Sequence, residues 1–155
     1  MFIGISEHSL DNKNRVFVPK RIQDFLTRGS NGALVAYLTA GQDGCVYLFS
    51  EAGFQVALAE LNTGVFEGAD QRAAQRLFFA NAARLELDAS GRLLIPEMLR
   101  RRARLEKEVV MVGVQNRCEI WSREGWESFS AENDRVLEEI DTVMRKQAPL
   151  SADGN

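Results

Sequence analysis

Histidine is nearly absent from this chain: His8 is the only one in 155 residues, and the cysteines number two, Cys45 and Cys118. Both cysteines lie in strand-like runs, CVYLF and CEIW, with no CxxC spacing, so neither a metal site nor a disulfide framework is expected. Each reads as a small buried hydrophobe. His8 has no evident nucleophile partner and the chain has no phosphate-binding glycine motif, so it is not expected to be an enzyme, and neither a cofactor nor a small-molecule substrate is implied. The apolar runs GALVAYLTAG and EVVMVGV are too short to cross a bilayer. MFIGISEHSL lacks the basic start and long apolar stretch of a signal peptide, which points to a cytoplasmic protein with no membrane partner.

Basic charge is also scarce overall. The formal net charge is −3 and the isoelectric point about 5.3, a balance that taken globally argues against nucleic acid. Its distribution argues otherwise. Residues 11 to 28 carry five cations (Lys13, Arg15, Lys20, Arg21, Arg28) against Asp11 and Asp24. Residues 88 to 107 carry six (Arg92, Arg100, Arg101, Arg102, Arg104, Lys107) against Asp88, Glu97 and Glu106. The acid is concentrated near the end, in ESFSAENDRVLEEID.

Both basic clusters fall on a repeat. LDNKNRVFVP, residues 10 to 19, matches LDASGRLLIP, residues 87 to 96, and LFSEAGF, residues 48 to 54, matches IWSREGW, residues 120 to 126. The first offset is larger than the second, and the difference belongs in the turn-forming stretches GSNGAL and AGQDG. Each copy reads as β-hairpin, helix opened by Pro19 or Pro96, two strands, and a helix capped by Ser50 or Ser122. Asp11 and Asp88 suit the first position of a type I turn, where a carboxylate accepts backbone N–H groups ahead of it. The fourth position favours positive φ, which Gly91 adopts without cost and Asn14 tolerates best among the other residues. Arg15 and Arg92 then stand at the same place just past the turn.

Ile22, Phe25 and Leu26 form an apolar stripe after the first proline, and Met98, Leu99 and Ala103 a shorter one after the second. Phe54, Leu58 and Leu61 share a helical face, and ADQRAAQRLFFANAA has strong helix formers with Leu77, Phe78 and Phe79 placed to be buried. The expected divisions are a first module over 5–52, a helical connector over 53–81, a second module over 82–125, an amphipathic C-terminal helix over 126–147 broken at Asn133, and a disordered tail over 148–155. The connector reads as packed, so the two modules should dock and share one core.

The opening MFIG, the two D-x-x-x-R strings with their prolines, QRLFFANAARLELD and KEVVMVGVQNRCEIW together resemble the MraZ family of bacterial transcriptional regulators, built of two SpoVT-AbrB modules. The resemblance covers residues 1 to about 145. It implies an α+β fold in which the two modules pair about a pseudo-two-fold into a β-barrel-like core. It further implies a homo-oligomeric closed ring that binds short tandem repeats in double-stranded promoter DNA of the division and cell-wall gene cluster, and a location at the nucleoid. The family's D-x-x-x-R elements land on Asp11 with Arg15 and on Asp88 with Arg92. Where the family has Gly before the Arg, the first copy has Asn14.

For DNA contact the candidates are Arg15, Lys13, Asn14, Lys20, Arg21 and Arg92, because guanidinium groups bond guanine edges or phosphates and a helix start favours phosphate. Asp11, Asp88 and Gly91 read as structural turn residues. Arg15 has the structural alternative of an ion pair with Asp11, and for Arg92 the two readings are balanced. Arg100 to Arg102 read as a solvated helix face. A rival is a protein-interaction scaffold acting through the C-terminal helix; an antitoxin-like binder of the same superfamily is disfavoured by the presence of both modules in one chain.

Overall fold

The fold, taken from a computed structural model, describes residues 1–61 and 64–145. It falls into two compact units, Met1–Arg123 and Glu124 onward. In the first, β1 (Phe2–Ser9), β2 (Arg15–Phe17), α1 (Lys20–Gln23), β3 (Thr27–Arg28), β4 (Leu34–Ala40), β5 (Val46–Phe49) and α2 (Glu51–Glu60) come from the first copy. After α3 (Ala69–Ala80) and β6 (Ala83–Glu86), the second copy supplies β7 (Arg92–Leu94), α4 (Glu97–Arg102), β8 (Glu108–Gln115) and β9 (Arg117–Ser122). Among the described residues, the second unit holds helical segments only: most of α5 (Arg123–Glu132), then α6 (Asp134–Glu138) and α7 (Ile140–Arg145). The expected tail over 148–155 lies outside the described residues.

Seven strands make one antiparallel sheet in the order β1-β8-β9-β5-β4-β3, with β6 also on β4, and β2 pairs only with β7. The path is open: β1 and β3 end it, so the core is an open sheet and not a closed barrel. Each D-x-x-x-R turn is tight, as its residues require, but its two arms part. β1 pairs along its whole length with β8, from Phe2 opposite Gln115 to Ser9 opposite Glu108, while β2 pairs with β7, Val16 opposite Leu93. The expected hairpins are thus exchanged between copies. The cause is visible in the burial pattern: Val16, Val18, Leu93 and Ile95 are each at most 1% exposed, and only side-by-side placement of the two copies closes water off from all four. Leu38, Leu48, Met111 and Ile120, on the β4–β5 and β8–β9 pairs, complete that shared core.

Gly113 lets β1 lie close on β8, since a Cβ there would collide with the backbone of Phe2 and Ile3. Pro19 and Pro96 stand directly before α1 and α4 with φ of −54° and −56°, near the value their rings impose. The extra residues of the first copy fall in the two expected loops: β4 and β5 are joined by residues 41–45, whereas Asn116 alone joins β8 to β9.

Several expected core positions differ. Ile22, Leu26, Leu99 and Ala103 are buried, but Phe25 and Met98 are about half exposed, because α1 and α4 are too short to turn a full stripe inward. In the connector, Phe54 is buried and stacks on Tyr37 and Phe78, yet Leu77 and Phe79 are exposed: α3 has no buried residue and touches the sheet through Phe78. Ser50 caps α2 as expected, accepting the Gly53 N–H at 3.1 Å. The C-terminal helix breaks at Asn133 as expected and again at Glu139, leaving Leu137, Ile140 and Met144 exposed.

Candidate nucleic-acid interface

Exchange of the strands brings the two D-x-x-x-R turns to one place. In each, the aspartate carboxylate caps the turn from inside. Asp11 Oδ1 accepts the Lys13 N–H at 2.9 Å and the Arg15 N–H at 3.0 Å, and Asp88 Oδ1 accepts those of Ser90 and Arg92, both at 2.9 Å. The Asp11 N–H donates to the Arg15 carbonyl and the Asp88 N–H to the Arg92 carbonyl, each at 2.9 Å. Asn14 at φ 60° and Gly91 at φ 79° take the left-handed position both sequences provide for. Their carbonyls then accept the N–H groups of Ile95 and Val18, stitching each turn to the other copy's strand.

The arginines close a lattice of four charges. Arg15 Nε lies 2.8 Å from Asp11 and its Nη1 3.6 Å from Asp88; Arg92 Nε lies 3.0 Å from Asp88 and its Nη1 3.5 Å from Asp11. Each guanidinium therefore bridges its own carboxylate and its counterpart's. The ion-pair alternative considered for Arg15 is present in the fold, as is its equivalent for Arg92. Both side chains remain partly open to solvent, at 25% and 36%.

The backbone N–H of Arg15 is the largest influence on the Asp11 carboxyl; burial opposes it, but the Lys13 N–H and the Arg15 guanidinium add to it and hold the group below its ordinary value. Asp88 is lowered in the same way, first by the Arg92 N–H. Carboxyls that hold their charge to lower pH in the native state leave the unfolded chain to take up protons first as acid is added. Their stabilisation is thus present above the ordinary carboxylate range and is lost as pH falls through the lowered native values. Urea midpoints measured from about pH 6 down to about pH 2 should fall more steeply below about pH 4 for the wild type than for a variant with Asp11→Asn and Asp88→Asn. Parallel curves would mean that these carboxyls titrate alike in both states.

The other site candidates surround this platform unequally. Lys13 is exposed at the first turn's tip, and no hydrogen bond or ion pair is found for its ammonium among the described residues. Lys20 pairs with Asp24 at 3.3 Å on an exposed face. Arg21 turns back over Gly4, whose φ is +84°, and its Nη2 donates to Ser6 Oγ at 3.2 Å; that hydroxyl in turn bonds His8 Nε2 at 2.8 Å. Burial first, then the charge of Arg21, lowers the His8 pKa. At the far side, Arg101 pairs with Glu97 at 2.7 Å, and Arg100 Nε donates to the Ile95 carbonyl.

Two residues of the platform escaped the sequence reading. With Val16 and Leu93 turned into the core, period-two alternation sends Phe17 and Leu94 outward beside Arg15 and Arg92. The signal was available, since in an apolar run of three on a strand the middle residue must face away from its neighbours. What hid it was the partner: β2 and β7 form a ribbon with one buried face only once paired with each other.

Among the described residues no helix is long and apolar enough to cross a membrane, and no cluster of His, Cys, Asp and Glu could hold a metal ion. A family model described as "MraZ protein, putative antitoxin-like" matches the chain twice, over residues 1–77 and 78–147. The chain is 39% identical over 140 residues to a protein of Heliobacterium modesticaldum named transcriptional regulator MraZ, covering 90% of this chain and 94% of that one. Proteins of the same name from Carboxydothermus hydrogenoformans and Clostridium beijerinckii are 40% and 38% identical, over 93% and 92% of this chain and 96% and 99% of theirs. With both halves matched and relatives aligned nearly end to end, the chain belongs to the MraZ family.

Proposed function

We propose that this chain is a non-enzymatic transcriptional regulator of the division and cell-wall gene cluster, acting in the cytoplasm at the nucleoid, and that it binds short tandem repeats in promoter DNA as a closed homo-oligomeric ring. The relatives' name, transcriptional regulator MraZ, supports the broad activity. The observation that carries the DNA reading is the single platform built from both D-x-x-x-R turns, a two-stranded ribbon of the width a major groove admits. Arg15 and Arg92 hold the ribbon and offer their remaining N–H groups, Lys13 and Asn14 form one tip, and Lys20 and Arg21, at the start of α1, reach phosphate by exchanging their contacts with Asp24 and Ser6 for it. Asp11, Asp88 and Gly91 shape the turns.

One platform makes few phosphate contacts, so an acidic chain of this kind binds weakly alone and gains from repetition in a ring. In a fluorescence-anisotropy titration of tandem-repeat promoter DNA, Lys13→Ala should weaken binding and reduce the slope of log affinity against log salt by about 0.9. An unchanged slope would remove the first turn from the phosphate backbone. The scaffold reading has one observation in its favour, the exposed Leu137, Ile140 and Met144. It predicts that alanine at Ile140 abolishes regulation while DNA affinity is untouched.

A further inference from the structure

On the outward face of the β2–β7 ribbon, Phe17 is 47% and Leu94 55% exposed, between two guanidinium groups and two carboxylates. They are the equivalent residues of the two copies, related by the pseudo-two-fold at Val16 and Leu93. Neither contributes to the core, because the residues on either side of each already fill it. Phe17 is also held in place: its Cε2 lies 3.2 Å from where a Cβ on Gly91 would stand, so the ring lies across the bare backbone of the opposite turn. Two large apolar groups kept in water amid four charges are explained by a ligand that presents apolar and polar groups together.

We infer that Phe17 and Leu94 read thymine, each packing on a 5-methyl group in the major groove while the flanking cations hold the phosphates. The inference rests on the platform reading above and deepens it by assigning a base preference to two residues. The chemistry is specific. The 5-methyl of thymine is the one apolar feature of the major-groove edges, and apolar side chains are what recognise it. Because Phe17 and Leu94 lie about a pseudo-two-fold, the two thymines fall on opposite strands at inversely related positions of one repeat.

The first arm of the test changes only the DNA. A tandem-repeat duplex selected from random sequence by the full chain is prepared with each thymine replaced singly by deoxyuridine, which keeps base pairing and removes only the methyl. Two inversely related positions should each lose about fourfold in affinity, the effect of one buried methyl. For Phe17→Ala the loss at one of them should vanish, and for Leu94→Ala the loss at the other, whereas Phe17→Leu should retain most of its own. Equal binding of every thymine and deoxyuridine duplex by the wild type overturns the inference, as does discrimination that survives both alanine variants. A change in oligomeric state on Phe17→Ala with undiminished thymine discrimination also overturns it and gives the residue to an interface between copies. The two readings fail separately: if Lys13→Ala weakens binding and deoxyuridine is silent, only the thymine assignment falls, and if Lys13→Ala and Arg15→Ala both bind normally, the platform itself does.

Discussion

Leu93→Ala is expected to lower the free energy of unfolding by about 3 kcal/mol, among the largest losses any single truncation in this chain should cause. Leu93 has no exposed surface, stands opposite Val16 at the pseudo-two-fold centre, and sits in the core the two copies share. Truncation removes roughly three carbon atoms of buried side chain and leaves a cavity that neighbours from both copies would have to move together to fill. β2 and β7 are three residues each and pair only with one another, so little else in the main sheet restrains them. Both turns should lose support at once. Urea denaturation with an unchanged dependence on denaturant is the measurement. A loss under about 1 kcal/mol would mean that the ribbon is not anchored through its buried face.

Arg15→Ala should weaken binding to a single repeat about tenfold and to two adjacent repeats about a hundredfold, since the loss recurs at each platform engaged. Two effects act in the same direction. The guanidinium's free N–H groups are lost to DNA, and the carboxylates of Asp11 and Asp88, which it bridges at 2.8 and 3.6 Å, are left facing the phosphates with one cation fewer. Arg15→Lys restores the charge but not the fork that spans two carboxylates, so it should recover only part of the affinity. Comparing single-repeat and double-repeat probes by anisotropy at one salt concentration checks both statements. Equal losses on the two probes would refute compounding, and no loss on either would take Arg15 out of the interface.

The local chemistry of the turns was legible in the residues. Asp11 and Asp88 cap, Asn14 and Gly91 take positive φ, Pro19 and Pro96 precede helices, and Ser50 caps α2, because each of these acts within a few residues of itself. The repeat likewise announced that two copies would share a core. Hidden was the exchange of arms, since a tight turn between two strands is equally compatible with pairing to each other or to another copy. Only long-range burial of Val16, Val18, Leu93 and Ile95 decides it. The same exchange set Arg15 and Arg92 against each other's aspartates and turned Phe17 and Leu94 outward, so the composition of the platform was knowable but its assembly was not. Leu77 and Phe79 failed for a different reason: helical spacing ranks faces by apolarity but does not say whether a neighbour arrives to cover them.

The pairing of Phe2 with Gln115 and of Val16 with Leu93 also orders events during synthesis. At ordinary elongation speeds, β1 leaves the ribosome roughly 5–20 seconds before β8 does. Throughout that interval the nascent first half has no native place for its leading strand and must be kept from pairing with the wrong neighbour. Polysomes carrying several such halves side by side are where two chains could exchange arms between them, as the two copies here do within one.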